Sequence, residues 1–142
     1  MNSDILAAEM LKTFEDINIE NILNRLKLSL KGENAIIMLL NDYGGMATPG
    51  KLSERTDFTA ARLSAIIKSL ESKGIVERRQ NTEDKRSSYV ALTADGYEIY
   101  MRLRAEIISN ALTIIEQLGE EDVNEFLRIA KRLVNIVNTH IE

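Results

Sequence analysis

The 142-residue chain has few of the residues that carry catalytic and redox chemistry: no cysteine, no tryptophan, one histidine and one proline. Without cysteine it forms neither disulfides nor cysteine-ligated zinc sites, and it has no thiol with which to sense peroxide. The one histidine, His140, lies close to the end of the chain with no obvious group of carboxylates around it, which argues against acid–base catalysis. We therefore expect a protein that is not an enzyme and has no metal or cofactor.

Long hydrophobic runs are also missing. The longest, AIIMLL at 35–40, is far too short to cross a bilayer, and the acidic N-terminus lacks the basic and apolar regions of a signal peptide. We therefore expect a cytoplasmic location. With 44% hydrophobic and 28% charged residues, the chain has the composition of a globular domain rather than a disordered one.

Charge is distributed unevenly along the chain. The whole chain has 18 basic and 22 acidic residues, a net charge of −4. Residues 51–86 contain nine bases and six acids and so carry +3, which leaves −7 on the rest of the chain. A basic middle between acidic flanks is compatible with a nucleic-acid partner even though the net charge is negative.

Apolar spacing and glycines indicate helices in the first third of the chain. Residues 4–30 have a mostly helical pattern, and Gly32 is predicted to end that segment. A short helix from about Glu33 to Tyr43 carries AIIMLL, which is apolar on every side and therefore belongs in the core. Gly44-Gly45 is predicted to stop this helix.

Two short helices follow with a tight turn between them. Thr48 is a predicted N-cap with Pro49 at the first helical position, and this helix extends to about Arg55. After a turn at 56–57, Thr59 is predicted to cap a second helix that ends at Gly74. The apolar stripe of this second helix consists of Leu63, Ile66, Ile67 and Leu70. The two helices form a helix-turn-helix pattern.

The remaining sequence predicts a hairpin and two long helices. IVERRQ and SSYVAL flank the polar connection NTEDKR at 81–86, which predicts a two-stranded hairpin. Thr93 is a predicted cap of a long helix that Gly119 ends, and EEDV places acids at the start of a final helix. These two helices have more apolar face than one small lobe can cover, so we expect them to pack with the first helix and with a second chain.

A helix-turn-helix followed directly by a hairpin is the winged arrangement, so we expect a mainly α fold with a small β-hairpin wing. The major groove of DNA admits an α-helix, and a hairpin beside it can place a cation in the adjacent minor groove. Arg86 at the hairpin tip would supply that cation, and Asp84 would accept hydrogen bonds from its guanidinium. A solvated hairpin tip is the alternative interpretation of Lys85 and Arg86.

The sequence resembles the multiple-antibiotic-resistance regulator (MarR) family of winged helix-turn-helix transcription factors. The resemblance rests on SLESKGIVERR at 69–79, on Asp-Lys-Arg at 84–86 and on VALTADG at 90–96, and the element order agrees over nearly the whole chain. The chain departs from the family pattern at Asn81-Thr82, where an Asp-Pro pair is common, and at Ala65, where a larger polar or basic residue is common.

The resemblance implies a single domain at 1–142, with a winged helix-turn-helix lobe at 33–92 and a helical dimerisation region at 1–30 and 94–142. It implies a homodimeric, sequence-specific regulator, a repressor by analogy, that binds a pseudo-palindromic operator in double-stranded DNA. It also implies a small aromatic or anionic effector bound between the lobe and the dimer helices. The implied DNA-binding residues are Thr59, Ala61, Arg62, Ser64, Ala65, Lys68, Ser69, Asp84, Lys85 and Arg86.

Parts of the sequence also fit other interpretations. Acidic flanks and the small residues Ala61 and Ala65 also fit a winged-helix protein-interaction module that does not bind DNA. Lys68 and Ser69 fit an ordinary solvated face equally well, whereas Arg62 near a helix start opposes the helix dipole and so favours an external anion. GMATPGKL at 45–52 resembles a phosphate-binding loop, but Leu52 stands where that loop needs a hydroxyl, and a helix rather than a strand precedes it.

Overall fold

The computed structural model describes residues 2–26, 32–84 and 86–141. The chain divides into two compact units, Met1–Ala105 and Glu106–Glu142. The fold is mainly helical with a small antiparallel sheet, which confirms the predicted fold class. The elements are α1 (Ser3–Asp16), α2 (Ile19–Arg25), α3 (Glu33–Asp42), β1 (Met46–Ala47), α4 (Pro49–Glu54), α5 (Ala60–Ser72), β2 (Val76–Gln80), β3 (Ser88–Leu92), α6 (Ala94–Leu118) and α7 (Glu120–His140).

The predicted helical segment at 4–30 contains a break. Ile17 is extended (φ −79°, ψ 106°), and the side chain of Asn18 accepts a hydrogen bond from the amide of Asn21 at 2.9 Å. An asparagine in this role satisfies an amide that the first turn of a helix leaves free, so it restarts the chain as α2. Residues 27–31 of the predicted segment lie outside the described residues.

The core of the first unit is built around α3. Ile36, Ile37, Leu39 and Leu40 are all buried, as the apolar run AIIMLL predicted. A single apolar helix of this kind needs partners on several sides. α4, α5 and the sheet supply them: Leu52, Leu63, Ile67, Leu70, Val76 and Val90 are buried in the same cluster.

The sheet has three strands in the order β1-β3-β2, all antiparallel. This is one strand more than the predicted two-stranded hairpin. β1 pairs with β3 through Met46↔Ala91 and Ala47↔Val90. Gly44 and Gly45, at φ +81° and +98°, turn the chain from the end of α3 into this strand. The predicted hairpin itself is present as β2 and β3, with Val76 opposite Leu92 and Gln80 opposite Ser88.

The string VALTADG joins the sheet to α6 through two close contacts. The Thr93 hydroxyl donates to the Gly74 carbonyl oxygen at 2.6 Å and accepts from the Gly96 amide at 3.1 Å, so Thr93 is the predicted cap. A Cβ on Gly96 would lie 2.2 Å from the Ile75 carbonyl oxygen. The first turn of α6 therefore touches the backbone that leads into the wing, at a distance that leaves no room for a side chain.

The second unit consists of the C-terminal part of α6 and of α7. Gly119, at φ +88°, separates the two helices, and Glu120, Glu121 and Asp122 form the first turn of α7 as predicted. No residue of α7 is buried within the described part of the chain. Its exposed large apolar residues are Phe126, Leu127, Ile129, Leu133, Val134, Ile136 and Val137. None of the described helices is long and apolar enough to cross a membrane.

Candidate nucleic-acid interface

The helix-turn-helix is set by two threonine caps, both of them predicted. The Thr48 hydroxyl oxygen accepts from the Lys51 amide at 3.3 Å, and Pro49 occupies the first turn of α4. The Thr59 hydroxyl oxygen accepts from the Arg62 amide at 3.1 Å at the start of α5. Each cap satisfies an amide that the helix cannot. Because Thr59 is also exposed, its hydroxyl proton stays free to donate to a ligand.

The apolar and polar faces of α5 separate as the sequence predicted. Leu63, Ile67 and Leu70 are buried in the core. The opposite face is open to solvent and holds five of the predicted contact residues. These exposed residues are Ala61, Arg62, Ser64, Ala65 and Lys68.

Arg62 is exposed, yet its position is restrained. Its guanidinium carbon lies 4.6 Å from the centre of the Phe58 ring. Phe58 is itself half-buried against the core, so the ring is a fixed support for the cation. A cation over an aromatic face is attracted by the ring quadrupole, by about 0.5–1 kcal/mol at an exposed site. The restraint holds a positive charge at the start of α5 while leaving the guanidinium able to bind an anion.

Ser69 does not belong to this open face. It is half-buried, and its hydroxyl donates to the carboxylate of Glu33 at the start of α3. Lys73 Nζ donates to both oxygens of the same carboxylate, at 3.0 and 2.8 Å. The Lys73 ammonium, helped by the Ser69 hydroxyl, holds the pKa of Glu33 below its usual value. Ser69 therefore helps to attach α5 to α3 and is not part of the open face that holds the other predicted contact residues of this helix.

The wing loop between β2 and β3 is organised by Asn81, a residue outside the predicted site. Asn81 is 7% exposed and is the one buried polar residue in the described part of the chain. Its Oδ1 accepts from the amides of Glu83 and Asp84 at 3.0 and 3.3 Å, and its Nδ2 donates to Ser87 Oγ at 3.0 Å. Asparagine directly after a strand and before a polar turn is the available sequence signal.

The tip of the wing contains the predicted contact between Asp84 and Arg86. Asp84 Oδ1 accepts from the backbone amide of Arg86 at 3.0 Å and from its Nε at 3.4 Å. The Arg86 side chain is 93% exposed. The guanidinium therefore extends into solvent with one hydrogen bond at its base. Lys85, the other predicted wing cation, lies outside the described residues.

The base of the wing is attached to α5. Arg78 on β2 donates from Nε to Glu71 on α5 at 2.7 Å. Beside this contact a cavity of about 350 Å³ lies between α4, α5 and β2. It is lined by Pro49, Gly50, Ser53, Ala60, Leu63, Ser64, Ile67 and Arg78. Residues of α5 and of the base of the wing thus line the same cavity in the first unit.

A helix-turn-helix followed by a hairpin that completes a three-stranded sheet defines a winged helix-turn-helix protein. A family model described as "MarR family" matches residues 35–87. The structure of the MarR family transcription regulator SP03579 superposes with a TM-score of 0.79 at 20% identity, covering 96% of both chains. Residues 35–87 are thus similar to the MarR family, and the fold of the chain is that of MarR-family regulators.

Proteins whose names state a role in transcription are similar to part of the chain. The HTH-type transcriptional repressor YetL of Bacillus subtilis (strain 168) is 28% identical over 100 residues, which are 70% of this chain. The match spans only 60% of the length of YetL. A mutant MarR from E. coli, complexed with operator DNA, superposes with a TM-score of 0.60 at 22% identity. That superposition covers 92% of this chain and 95% of the other.

Proposed function

We propose that this protein is a sequence-specific, double-stranded-DNA-binding transcriptional regulator rather than an enzyme. The observation that carries the proposal is the open face of α5 together with a wing that is attached to the same helix through Arg78 and Glu71 and has Arg86 93% exposed at its tip. An α-helix fits the major groove, and the narrow minor groove attracts arginine. The match of residues 35–87 to the MarR family model and the operator complex of the similar E. coli protein support the same function.

The residues of α5 divide by the kind of contact that their chemistry permits. Arg62, Lys68 and the Thr59 hydroxyl are suited to phosphate oxygens, which position a protein on DNA without reading its sequence. Ser64 is suited to a base edge, and Ala61 and Ala65 are suited to the methyl group of thymine. Because most charged contacts go to phosphates, affinity should fall steeply as salt rises.

We also propose that the regulator is a cytoplasmic homodimer on a pseudo-palindromic operator. The apolar side chains of α7 are exposed in a single chain; Phe126, for example, is 66% exposed. A second copy would remove this surface from water and would place two α5 helices about 34 Å apart, one helical turn of DNA. Phe126→Asp should shift the sedimentation of the protein toward the monomer, whereas Asn124→Asp on the same helix should not. A monomeric wild-type protein at micromolar concentration would contradict this assembly.

The regulatory role that we propose is repression, relieved by a small aromatic or anionic ligand. A ligand relieves repression only if it binds more tightly to a dimer whose recognition helices are wrongly spaced than to the DNA-binding dimer. Benzoate is a suitable probe, because it is both aromatic and anionic, and acetate is its control. Release of bound operator by benzoate but not by acetate is the expected result. Equal effects of the two anions would indicate a salt effect and would contradict a specific ligand.

The wing assignment is tested by removing its cations. Arg86→Ala, alone and with Lys85→Ala, should weaken operator binding by about 1–3 kcal/mol and lower the salt slope by about one per cation. Arg128→Ala is the matched control. It removes the same charge as Arg86→Ala, but from an exposed residue on α7, outside the helix-turn-helix and the wing. Unchanged binding by the wing variants would contradict the assignment. Failure of wild-type protein to bind any duplex at low salt would favour a protein-interaction module instead.

A further inference from the structure

We propose that Asn81 is a positioning residue that orders the wing and so directs Arg86 before DNA arrives. Asn81 is buried at the end of β2, five residues before Arg86, and hydrogen-bonds to three residues of the loop. The effect on DNA affinity rests on the proposed function. The effect on the order of the wing does not.

A continuous series of hydrogen bonds joins Asn81 to Arg86. Asn81 Oδ1 accepts from the Asp84 amide at 3.3 Å, which fixes the backbone at Asp84. The Asp84 carboxylate then accepts from the amide and the Nε of Arg86, at 3.0 and 3.4 Å. Each bond restrains the group that makes the next one, so the direction of the guanidinium depends on the side chain of Asn81.

The other end of the loop is held by the same side chain. Asn81 Nδ2 donates to Ser87 Oγ at 3.0 Å, and the Ser87 amide donates to the Asp84 carbonyl oxygen at 3.2 Å. The chain is thereby closed around Asn81 just before β3 begins. An amide side chain suits this position because it accepts on one side and donates on the other.

The residue after Asn81 does not restrict the loop by itself. Thr82 is exposed, and threonine, unlike proline, does not fix its own φ angle and so does not reduce the freedom of a loop before folding. The order of the loop must then come from hydrogen bonds, and the bonds of a buried asparagine are shielded from competing water.

The first experiment measures the order of the wing without DNA. Backbone 15N relaxation of Glu83, Asp84 and Arg86 is compared between wild type, Asn81→Ala and the neighbouring control Thr82→Ala in the full chain. We expect order parameters of about 0.85 to fall below about 0.6 in Asn81→Ala only. Asn81→Asp keeps the acceptor oxygens and should keep the amides of Glu83 and Asp84 ordered. Equal order in Asn81→Ala and wild type would overturn the proposal.

The second experiment asks whether Asn81 acts on DNA through Arg86. Asn81→Ala should weaken operator binding about two- to tenfold, the effect of having to order a flexible side chain on binding. In an Arg86→Ala background the same substitution should cause no further loss, because coupled residues are not additive. Equal loss in both backgrounds would show a role independent of Arg86 and overturn the proposal. Absence of binding by wild type would refute the proposed function, while the relaxation data would still decide whether Asn81 orders the wing.

Discussion

Replacing Gly96 by alanine should destabilise the protein, although the same change in a helix normally stabilises it. Gly96 lies in the first turn of α6, where alanine is favoured over glycine by about 0.8–1.0 kcal/mol. A Cβ at this position, however, would lie 2.2 Å from the Ile75 carbonyl oxygen and 3.1 Å from Leu92 Cδ2. The first neighbour is backbone and cannot rotate away, so α6 must move relative to the start of β2.

The expected net loss is about 1–3 kcal/mol, the usual result of forcing extra atoms into a packed site. For a chain of this length each 1 kcal/mol corresponds to about 2–4 °C in Tm. Gly50→Ala is the matched control: Gly50 is also helical, and its Cβ would meet nothing nearer than Thr48 Oγ1 at 3.9 Å. That variant should gain about 0.4–1 kcal/mol.

Thermal unfolding followed by circular dichroism, at one fixed protein concentration, measures both variants against wild type. A fixed concentration matters because association would otherwise shift Tm by mass action. Opposite signs for Gly96→Ala and Gly50→Ala are the expected result. A Gly96→Ala protein as stable as wild type would refute the reasoning from the contact with Ile75.

Three further substitutions test the lobe that carries the proposed interface. Thr59→Ala removes the cap of α5 and should lower the free energy of unfolding by about 1 kcal/mol in a urea titration. Leu52→Ala empties a fully buried position and should cost about 2–5 kcal/mol by the same assay. Glu33→Gln should cost at most about 1 kcal/mol at pH 7, because both partners of the lost ion pair with Lys73 are in contact with solvent. The pKa of Glu33 is lowered in the folded state. The ionised carboxylate therefore contributes to the free energy of unfolding above the usual carboxyl pKa of 4.5, and this contribution is lost as the pH falls through the lowered pKa. The free energies of unfolding of wild type and Glu33→Gln should therefore converge as the pH falls across that range. A constant difference between them would contradict the ion pair.

Local chemistry explains which parts of the fold were predictable. Thr48, Thr59 and Thr93 each cap an amide within three residues, so the sequence contains both partners. β1 was missed because two residues show no periodicity and its pairing with β3 lies more than forty positions away. Hairpins joined by a short polar loop, such as β2 and β3, contain their own pairing signal.

In the candidate site, too, contacts between residues close in sequence were predicted and contacts between distant residues were not. The wing contact between Asp84 and Arg86 spans two residues and was predicted from the sequence. The contact between Ser69 and Glu33 was not predicted, because the two residues are 36 positions apart and a helical pattern does not show which polar residue faces another helix. Asn81 was noticed only as a departure from the family pattern, since burial of a polar loop residue depends on how the whole loop closes.

The most direct test of the central claim is fluorescence anisotropy of the purified protein with the duplex upstream of its own gene and with a scrambled duplex, each over a salt series. We predict tighter binding to the native duplex and a steep fall in affinity with salt for both. Equal affinity for the two duplexes would contradict sequence-specific recognition at that operator. No binding to either at low salt would contradict the assignment of α5 and the wing as a DNA-binding surface.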